Sequence, residues 1–315
     1  MGHLELDEYR ECRLCPRRCG VDRVAGRTGV CGETAVLRLA HAGAHFGEEP
    51  PFSGTRGSGT LFLCGCPCGC FFCQNVQISR QHAGTERTLE EFIALCRNLA
   101  AQGVHNLNFV TPEHYWPHLR AAGRQLRAEG LTLPFLFNCS GYEDPARVAD
   151  YAGVMDIFLP DFKFADPGLA AACLNAPDYP ETALAALQAM VAAVGFLEPW
   201  DESGAETARR GVLVRHLVLP GQVANSLAVL RLLRREFGPR LPLSIMSQYR
   251  PMPACAGRPP FDRPLHPAEY AEVRDLAEGL GFRHLFIQEL DDDDAFLPDF
   301  SKAGEPFAGN RGNTP

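Results

Sequence analysis

The 315-residue sequence has no apolar run long enough to span a bilayer. The longest, from Ala183 to Leu197, is interrupted by Gln188 and is too short. The opening residues Met1-Gly-His-Leu-Glu-Leu-Asp-Glu are acidic without an apolar stretch, so a secretory signal peptide is not expected. Excess basic charge is missing too: 30 Lys and Arg stand against 38 Asp and Glu, a net charge of -8. A duplex-DNA binder needs a basic face to displace counterions, which sets that class aside. No G-x-G-x-x-G follows a strand-like segment, because Gly54, Gly57 and Gly59 have the wrong spacing for a dinucleotide turn. No fixed-period repeat is present. What is present is ordinary globular composition, 46% hydrophobic and 22% charged, which excludes wholesale disorder. The expectation is a cytoplasmic protein with no membrane and no DNA partner, built as about two domains or one large α/β barrel.

Cysteine, by contrast, is abundant. Of 13 cysteines, nine precede residue 74, in two groups. The odd number and a reducing compartment argue against a disulfide framework and for metal or iron–sulfur ligation. The first group, Cys12-x2-Cys15-x3-Cys19-x11-Cys31, supplies four thiols. That set closes around structural zinc or around an iron–sulfur cluster, and the spacing does not choose between them; a metal-free arm is the plain alternative. Arg13, Arg17, Arg18, Arg23 and Arg27 flank these cysteines and are expected to offset thiolate charge.

The second group lies in Gly65-Cys-Pro-Cys-Gly-Cys-Phe-Phe-Cys73. Only one register gives C-x3-C-x2-C, formed by Cys66, Cys70 and Cys73. Three thiolates hold three corners of a 4Fe–4S cube and leave one iron open to a ligand. Cys64 and Cys68 are expected to point away from it. A zinc knuckle, or buried thiols without metal, is the structural alternative.

From Thr60 onward strand-like runs alternate with amphipathic stretches. The pattern predicts strands at 60–63, 106–110, 133–137, 155–159, 211–219, 243–246 and 284–287, with a weaker one at 35–41. Helices are predicted at 88–102, up to 128 before Gly130, and at 146–151, 182–194, 223–237 and 267–280. Such alternation implies a parallel sheet, closed as a barrel or partial barrel, or else open and doubly wound. The divisions expected are a cysteine-rich arm (1–58), the barrel (59–290) and a tail (291–315). The tail opens on Asp291-Asp-Asp-Asp294 and is expected to be solvated and flexible.

The residues Gly59-Thr-Leu-Phe-Leu-Cys-Gly-Cys66…Cys70-Phe-Phe72-Cys73-Gln-Asn resemble the signature of the radical S-adenosylmethionine (SAM) superfamily. The likeness extends to His45-Phe-Gly-Glu-Glu-Pro-Pro, Asn108-Phe-Val-Thr-Pro, Asn138-Cys-Ser-Gly-Tyr-Glu, Leu159-Pro-Asp-Phe-Lys163, Val214-Arg-His-Leu-Val-Leu-Pro-Gly221 and Met246-Ser-Gln-Tyr. Together these are similar to the pyruvate formate-lyase activating enzyme-related branch, from Cys12 to about Gln288. The resemblance implies an α/β fold, a partial (β/α)6-type TIM barrel with the cysteine-rich arm at its N-terminus. It also implies a 4Fe–4S cluster on Cys66, Cys70 and Cys73 that reductively cleaves SAM. The resulting 5′-deoxyadenosyl radical takes a hydrogen from a substrate, and a flavodoxin or ferredoxin gives the electron.

By the same resemblance Phe72 lies beside the adenine and Glu113 is a partial match to a Gly-Gly-Glu stretch facing the methionyl amine. Asn138 and Ser140 reach the ribose. Asp161 and Lys163 end the fourth strand, with Lys163 toward the methionyl carboxylate; of Arg215 and His216 in the next strand one faces the interior, and Arg215 is taken as the cofactor contact. Glu48 and Glu49 are expected near the substrate opening. The hydrogen donor stays open. It is a glycine of a partner glycyl radical enzyme, or another protein or small molecule. Against the activase, Cys73-Gln-Asn-Val76-Gln lacks the Pro and Glu that activases carry after the third cysteine. A non-enzymatic metal-binding barrel protein is the remaining alternative.

Overall fold

The computed structural model describes residues 5–290, 294–302 and 304–309. The arm begins with a short helix, α1 (Asp7–Arg10), and is otherwise irregular up to β1 (Leu37–His45). Next come α2 (Pro50–Ser53), β2 (Ser58–Leu63), the second cysteine group, α3 (Val76–Ser79) and β3 (Thr85–Arg87). Helix α4 (Leu89–Ala101) starts on a capping box: the Thr88 side chain accepts the Glu91 N–H, and the Glu91 carboxylate accepts the Thr88 N–H. The chain then alternates through β4 (Leu107–Val110), α5 (Trp116–Ala128), β5 (Phe135–Cys139), α6 (Val148–Ala152) and β6 (Ile157–Pro160). After β6 come α7 (Pro167–Leu174), α8 (Tyr179–Val194), β7 (Gly211–Val212), β8 (Val214–Leu217) and α9 (Val223–Phe237). Last are β9 (Leu243–Met246), α10 (Pro267–Gly279) and β10 (Leu285–Ile287).

Strands β2, β4, β5, β6 and β7 run parallel in that order, and β8, β9 and β10 form a second parallel set. The single strand expected at 211–219 is broken at Leu213. A bridge between Asp161 and Arg215, with the Phe162 N–H donating to the Arg215 carbonyl at 2.7 Å, lays β8 along the end of β6. The second set therefore continues the curve of the first. The wall stays open, because the free edge of β2 is taken by the antiparallel β1, which in turn carries β3. The 35–41 strand is thus longer than expected and lies outside the parallel run. Helix α7 was not expected from the sequence. Pro167 reads as a break, yet it stands in the first helical turn while Asp166 accepts the N–H of Gly168 at 2.7 Å.

Every residue of β2 is buried, as for a strand covered on both faces. Helix α8 places Tyr179, Ala183, Ala186, Leu187, Met190 and Val194 on one buried face, a helical repeat against the sheet. The arm is pinned by Arg17. It donates to the carbonyls of Leu174 and Asn175 at the end of α7, both at 2.6 Å, and to Pro67 in the second cysteine group at 2.9 Å. Arginine on the last carbonyls of a helix satisfies acceptors the helix leaves over.

The tail departs from the solvated end expected. Residues 291–293 of the acidic run lie outside the described residues. Beyond them Phe307 is only 3% exposed, with ring centroids 4.4 Å from His45 and 5.1 Å from Phe62. The Phe300 N–H donates to Gln77 at 2.8 Å, and Arg250 pairs with Asp294 at 2.8 Å. Phe296, Phe300 and Phe307 give this segment apolar area to bury, a contribution the neighbouring acidic run obscures. Among the described residues no helix is long and apolar enough to cross a membrane.

Candidate functional site

The chain leaves β2 at Leu63 and turns at once. Gly65 has φ +81°, and a Cβ there would lie 2.8 Å from the Cys31 carbonyl and 3.2 Å from His114 Nε2, so only glycine fits the turn. The loop then delivers Cys66, Cys70 and Cys73 to one wall of a cavity of about 480 Å³. The cavity opens at the C-terminal ends of the parallel strands, where Asn138, Ser140, Asp161 and Lys163 also meet it. Catalytic sites of parallel barrels sit at that end.

Cys64 lies outside the cavity lining, buried with Phe62, Ile78 and Phe307, as expected. Cys68 corrects the reading. It lines the cavity, and its thiol is hydrogen-bonded to that of Cys66, in a loop with positive φ at Gly65 and Gly69. The hydrogen bond from the Cys68 thiol lowers the pKa of Cys66 against its burial, helped by the backbone N–H groups of Gly69 and Cys68. Burial pushes the Cys70 and Cys73 thiols up. A metal must displace those protons to be bound.

Lys163 is one of two lysines in a chain whose other basic residues are arginine. It pairs with Asp161. Burial would lower its pKa, but Asp161 and the thiol of Cys70 outweigh that and hold it well above the usual lysine range. Its charge in turn favours thiolates at Cys66, Cys70 and Cys73. Among the described residues no three His, Cys, Asp or Glu side chains gather as around a single ion. Three thiols lining an open cavity together with an ammonium are the donor set that a four-iron cluster with one free corner would use.

Phe72 lines the same cavity, its ring parallel to that of Phe261 at 6.3 Å. Arg215 also reaches the cavity, but it is not free for a cofactor. Glu48 and Glu49 both hold its guanidinium, Nε meeting Glu49 at 2.9 Å, and Asn108 donates to Glu48 at 2.7 Å. Its strand neighbour His216 is buried between the Phe162 carbonyl and the Ser226 hydroxyl, a structural position. The tail residues Phe296, Pro298 and Phe307 complete the lining, and sequence reasoning missed them.

Glu113 lies apart from the other expected contacts. It is 0% exposed, does not line the cavity, and neither carboxyl oxygen has a hydrogen-bond partner. Burial, then the nearby Glu143 and Cys66, raise its pKa well above the usual carboxylate range. The folded chain therefore keeps this proton when the unfolded chain has lost it, and native stability falls as pH rises above about 4.3. Glutamine does not titrate. Glu113→Gln is expected to gain on the native chain by up to about 1.4 kcal/mol per pH unit across that window. Urea unfolding at pH 5 and pH 8 checks this, and a gap that fails to widen contradicts it.

No family model matches the chain. The uncharacterized protein MJ0674 of Methanocaldococcus jannaschii is 25% identical over 281 residues, covering 86% of this chain and 75% of that protein. The crystal structure of methylornithine synthase (PylB) aligns with a TM-score of 0.46 at 15% identity, covering 78% of this chain and 72% of that one. The functional reading therefore rests on the cavity and its residues.

Proposed function

We propose that this chain is a radical SAM enzyme. The observation that carries the reading is the placement of Cys66, Cys70 and Cys73 on one wall of a cavity at the C-terminal strand ends, facing Lys163. Bound there, a 4Fe–4S cluster would supply the electron for reductive cleavage of SAM. The rest is the work of the chain. The three cysteines hold the cluster. Lys163 binds the methionyl carboxylate and Asp161 the amine. Asn138 and Ser140 offer hydrogen bonds to the ribose, and Phe72, backed by Phe261, presents an apolar face to the adenine. Phe296, Pro298 and Phe307 cover the mouth and keep water from a reactive intermediate.

The resemblance to the activase-related branch supports a glycine in a partner glycyl radical enzyme as hydrogen donor. The absence of Pro and Glu after Cys73-Gln-Asn supports a different protein or a small molecule. A flavodoxin or ferredoxin supplies the electron in either case. The test is anaerobic incubation of reconstituted protein with SAM and a strong reductant, read as 5′-deoxyadenosine. A protein with a reducible cluster that neither binds nor cleaves SAM contradicts the proposal. Adding a glycyl radical enzyme and recording its glycyl spin resonance separates the donors.

Lys163 gives a finer test. In the double variant Lys163→Met with Asp161→Asn no charge is left buried alone. SAM binding is expected to weaken about 10- to 100-fold, the worth of a hydrogen-bonded charge, while iron content is unchanged. Equilibrium dialysis under anaerobic conditions measures it.

A further inference from the structure

The loop that carries Cys66, Cys70 and Cys73 has two unlike sides. Cys66, Cys68, Cys70 and Phe72 line the cavity, whereas Pro67, Gly69 and Phe71, which alternate with them, lie off it. Each of those three is met by an arginine from a different part of the chain. Arg17 of the arm donates to the Pro67 carbonyl at 2.9 Å. Arg80, at the end of α3, donates to the Gly69 carbonyl. Arg258 lies over the Phe71 ring, 4.8 Å from its centroid. The inner side of the loop thus presents sulfurs and the outer side three guanidiniums. Among the described residues none of the three pairs with a carboxylate, although Arg18 takes Asp144 and Arg263 takes Glu269.

Negative charge is scarce around them. Residues 64–81 contain no Asp or Glu, and neither do residues 249–261, which bring Arg258. Residues 12–32 of the arm hold five arginines against one aspartate. The whole chain carries -8, so its positive charge is gathered in the segments that meet this loop. The five arginines of the arm differ in use. Cys12, Cys15 and Cys31 are buried and Cys19 is half-buried, with Arg23 buried among them, while Arg13 pairs with Glu11. Arg17 is spent on pinning the arm. Arg80 and Arg258 are exposed, and between them stands the half-buried ring of Phe71.

We infer that this outer face is the docking surface for a small acidic electron-carrier protein, of the flavodoxin or ferredoxin kind, with Arg80 and Arg258 as its steering charges. The inference rests on the proposed function, which needs one electron at the three cysteines: the carrier is oxidised by one electron and the cluster reduced by one. Charge selects the occupant, because an acidic carrier is drawn to a basic patch and repelled by the acidic remainder of the surface. Distance selects the face, because only the loop itself separates a docked redox centre from the sulfurs. The cavity mouth is covered by Phe296, Pro298 and Phe307 instead. An aromatic centre rimmed by a few charges suits the small, transient interface of an electron-transfer encounter.

The experiment begins with binding, measured by calorimetry between the full-length protein and fully oxidised flavodoxin at low salt, because this needs no turnover. Arg80→Glu with Arg258→Glu is expected to weaken binding about 10-fold or more, with circular dichroism unchanged, and Arg80→Gln with Arg258→Gln to fall between. Added salt, to ~0.15 M, should weaken the native complex and leave the reversed variant nearly unaffected. Flavodoxin hydroquinone is then mixed with reconstituted protein, and the appearance of its blue semiquinone is followed. The reversal should slow this step by a similar factor. Reduction of the cluster by photoreduced deazaflavin, a small donor that needs no docking, should be unchanged. Arg124→Glu with Arg231→Glu, exposed on α5 and α9, should behave as native. Binding indifferent to the reversal, or weakened equally by the control pair, overturns the assignment. Slower reduction by deazaflavin would overturn it too, since the arginines would then act on the cluster and not on a partner. So would a short RNA whose salt-sensitive retention is lost in the reversed variant while flavodoxin binding persists. Failure of the cluster reading shows separately, as a preparation that deazaflavin cannot bleach.

Discussion

Cys70→Ala is expected to leave a folded protein that makes no measurable 5′-deoxyadenosine, a fall of about 100-fold or more. Losing a ligand costs more than losing one of its supporting contacts, which alone costs about 10- to 100-fold. Cys70 is the middle cysteine of the C-x3-C-x2-C register, buried on the cavity wall and within the field of Lys163. Its neighbours make the test a discriminating one. Cys64 lies off the cavity, so Cys64→Ala should retain cleavage. Cys68 is on the wall and bonded to Cys66, so it competes for the ligand role that the register gives Cys70. Full activity in Cys68→Ala with none in Cys70→Ala fixes the register. The reverse result would show that the cube is held by a different set of thiols. Iron content and product are read on the same preparations.

Arg215→Ala is expected to destabilise the fold by about 3–5 kcal/mol, because it strands Glu48 and Glu49 in the interior. The side chain of Arg215 is 11% exposed and those of the two glutamates 6% and 8%, so solvent screens the triad little. Arg215→Lys should recover only part of the loss, since an ammonium cannot fork between two carboxylates. The pH dependence gives the sign. Burial pushes the Glu48 carboxyl up, but the Arg215 charge, with His45 and the hydrogen bonds from Arg215 and Asn108, brings it below its ordinary value. The native triad therefore contributes fully above about pH 4.3 and loses its contribution as acid takes the pH through the folded value. Without Arg215 burial is opposed only by His45 and the Asn108 hydrogen bond, the Glu48 carboxyl is expected to move up, and stability falls as pH rises. The gap between native and variant should be widest near pH 8 and close toward pH 4. Urea midpoints across that range measure it. Arg215→Met combined with Glu48→Gln and Glu49→Gln should regain most of the loss.

The sequence made legible what depends on local chemistry. Thr88 and Glu91 announce a cap that forms as written. The spacing of Cys66, Cys70 and Cys73 places three thiols on one wall, and residues at strand ends, Asn138, Ser140, Asp161 and Lys163, meet in one cavity. Contacts between distant segments were not legible. Arg215 was readable as an inward strand residue, but not as the partner of two glutamates 166 and 167 positions away. Five arginines flank the first cysteine group with equal claim in sequence. Only docking against His114 and Tyr115 selects Arg23 for burial. Glu113 looked like a ligand because its place along the chain matched a motif, while the turn after β4 buries it instead. The acidic run at 291–294 masked Phe296 and Phe307, which line the cavity, and Phe300, which packs against Phe62.

Arg17 contacts the carbonyls of Leu174 and Asn175, 157 and 158 residues further along the chain. Synthesis proceeds from the N-terminus at about 5–20 residues per second, so roughly 10–30 s separate the appearance of the arm from that of its dock. From residue 73 onward, most of that interval, nine cysteines are already made while the wall that shelters them is incomplete. A burst of oxidant during translation meets bare thiols, whereas the same burst a minute later meets cysteines that are mostly buried.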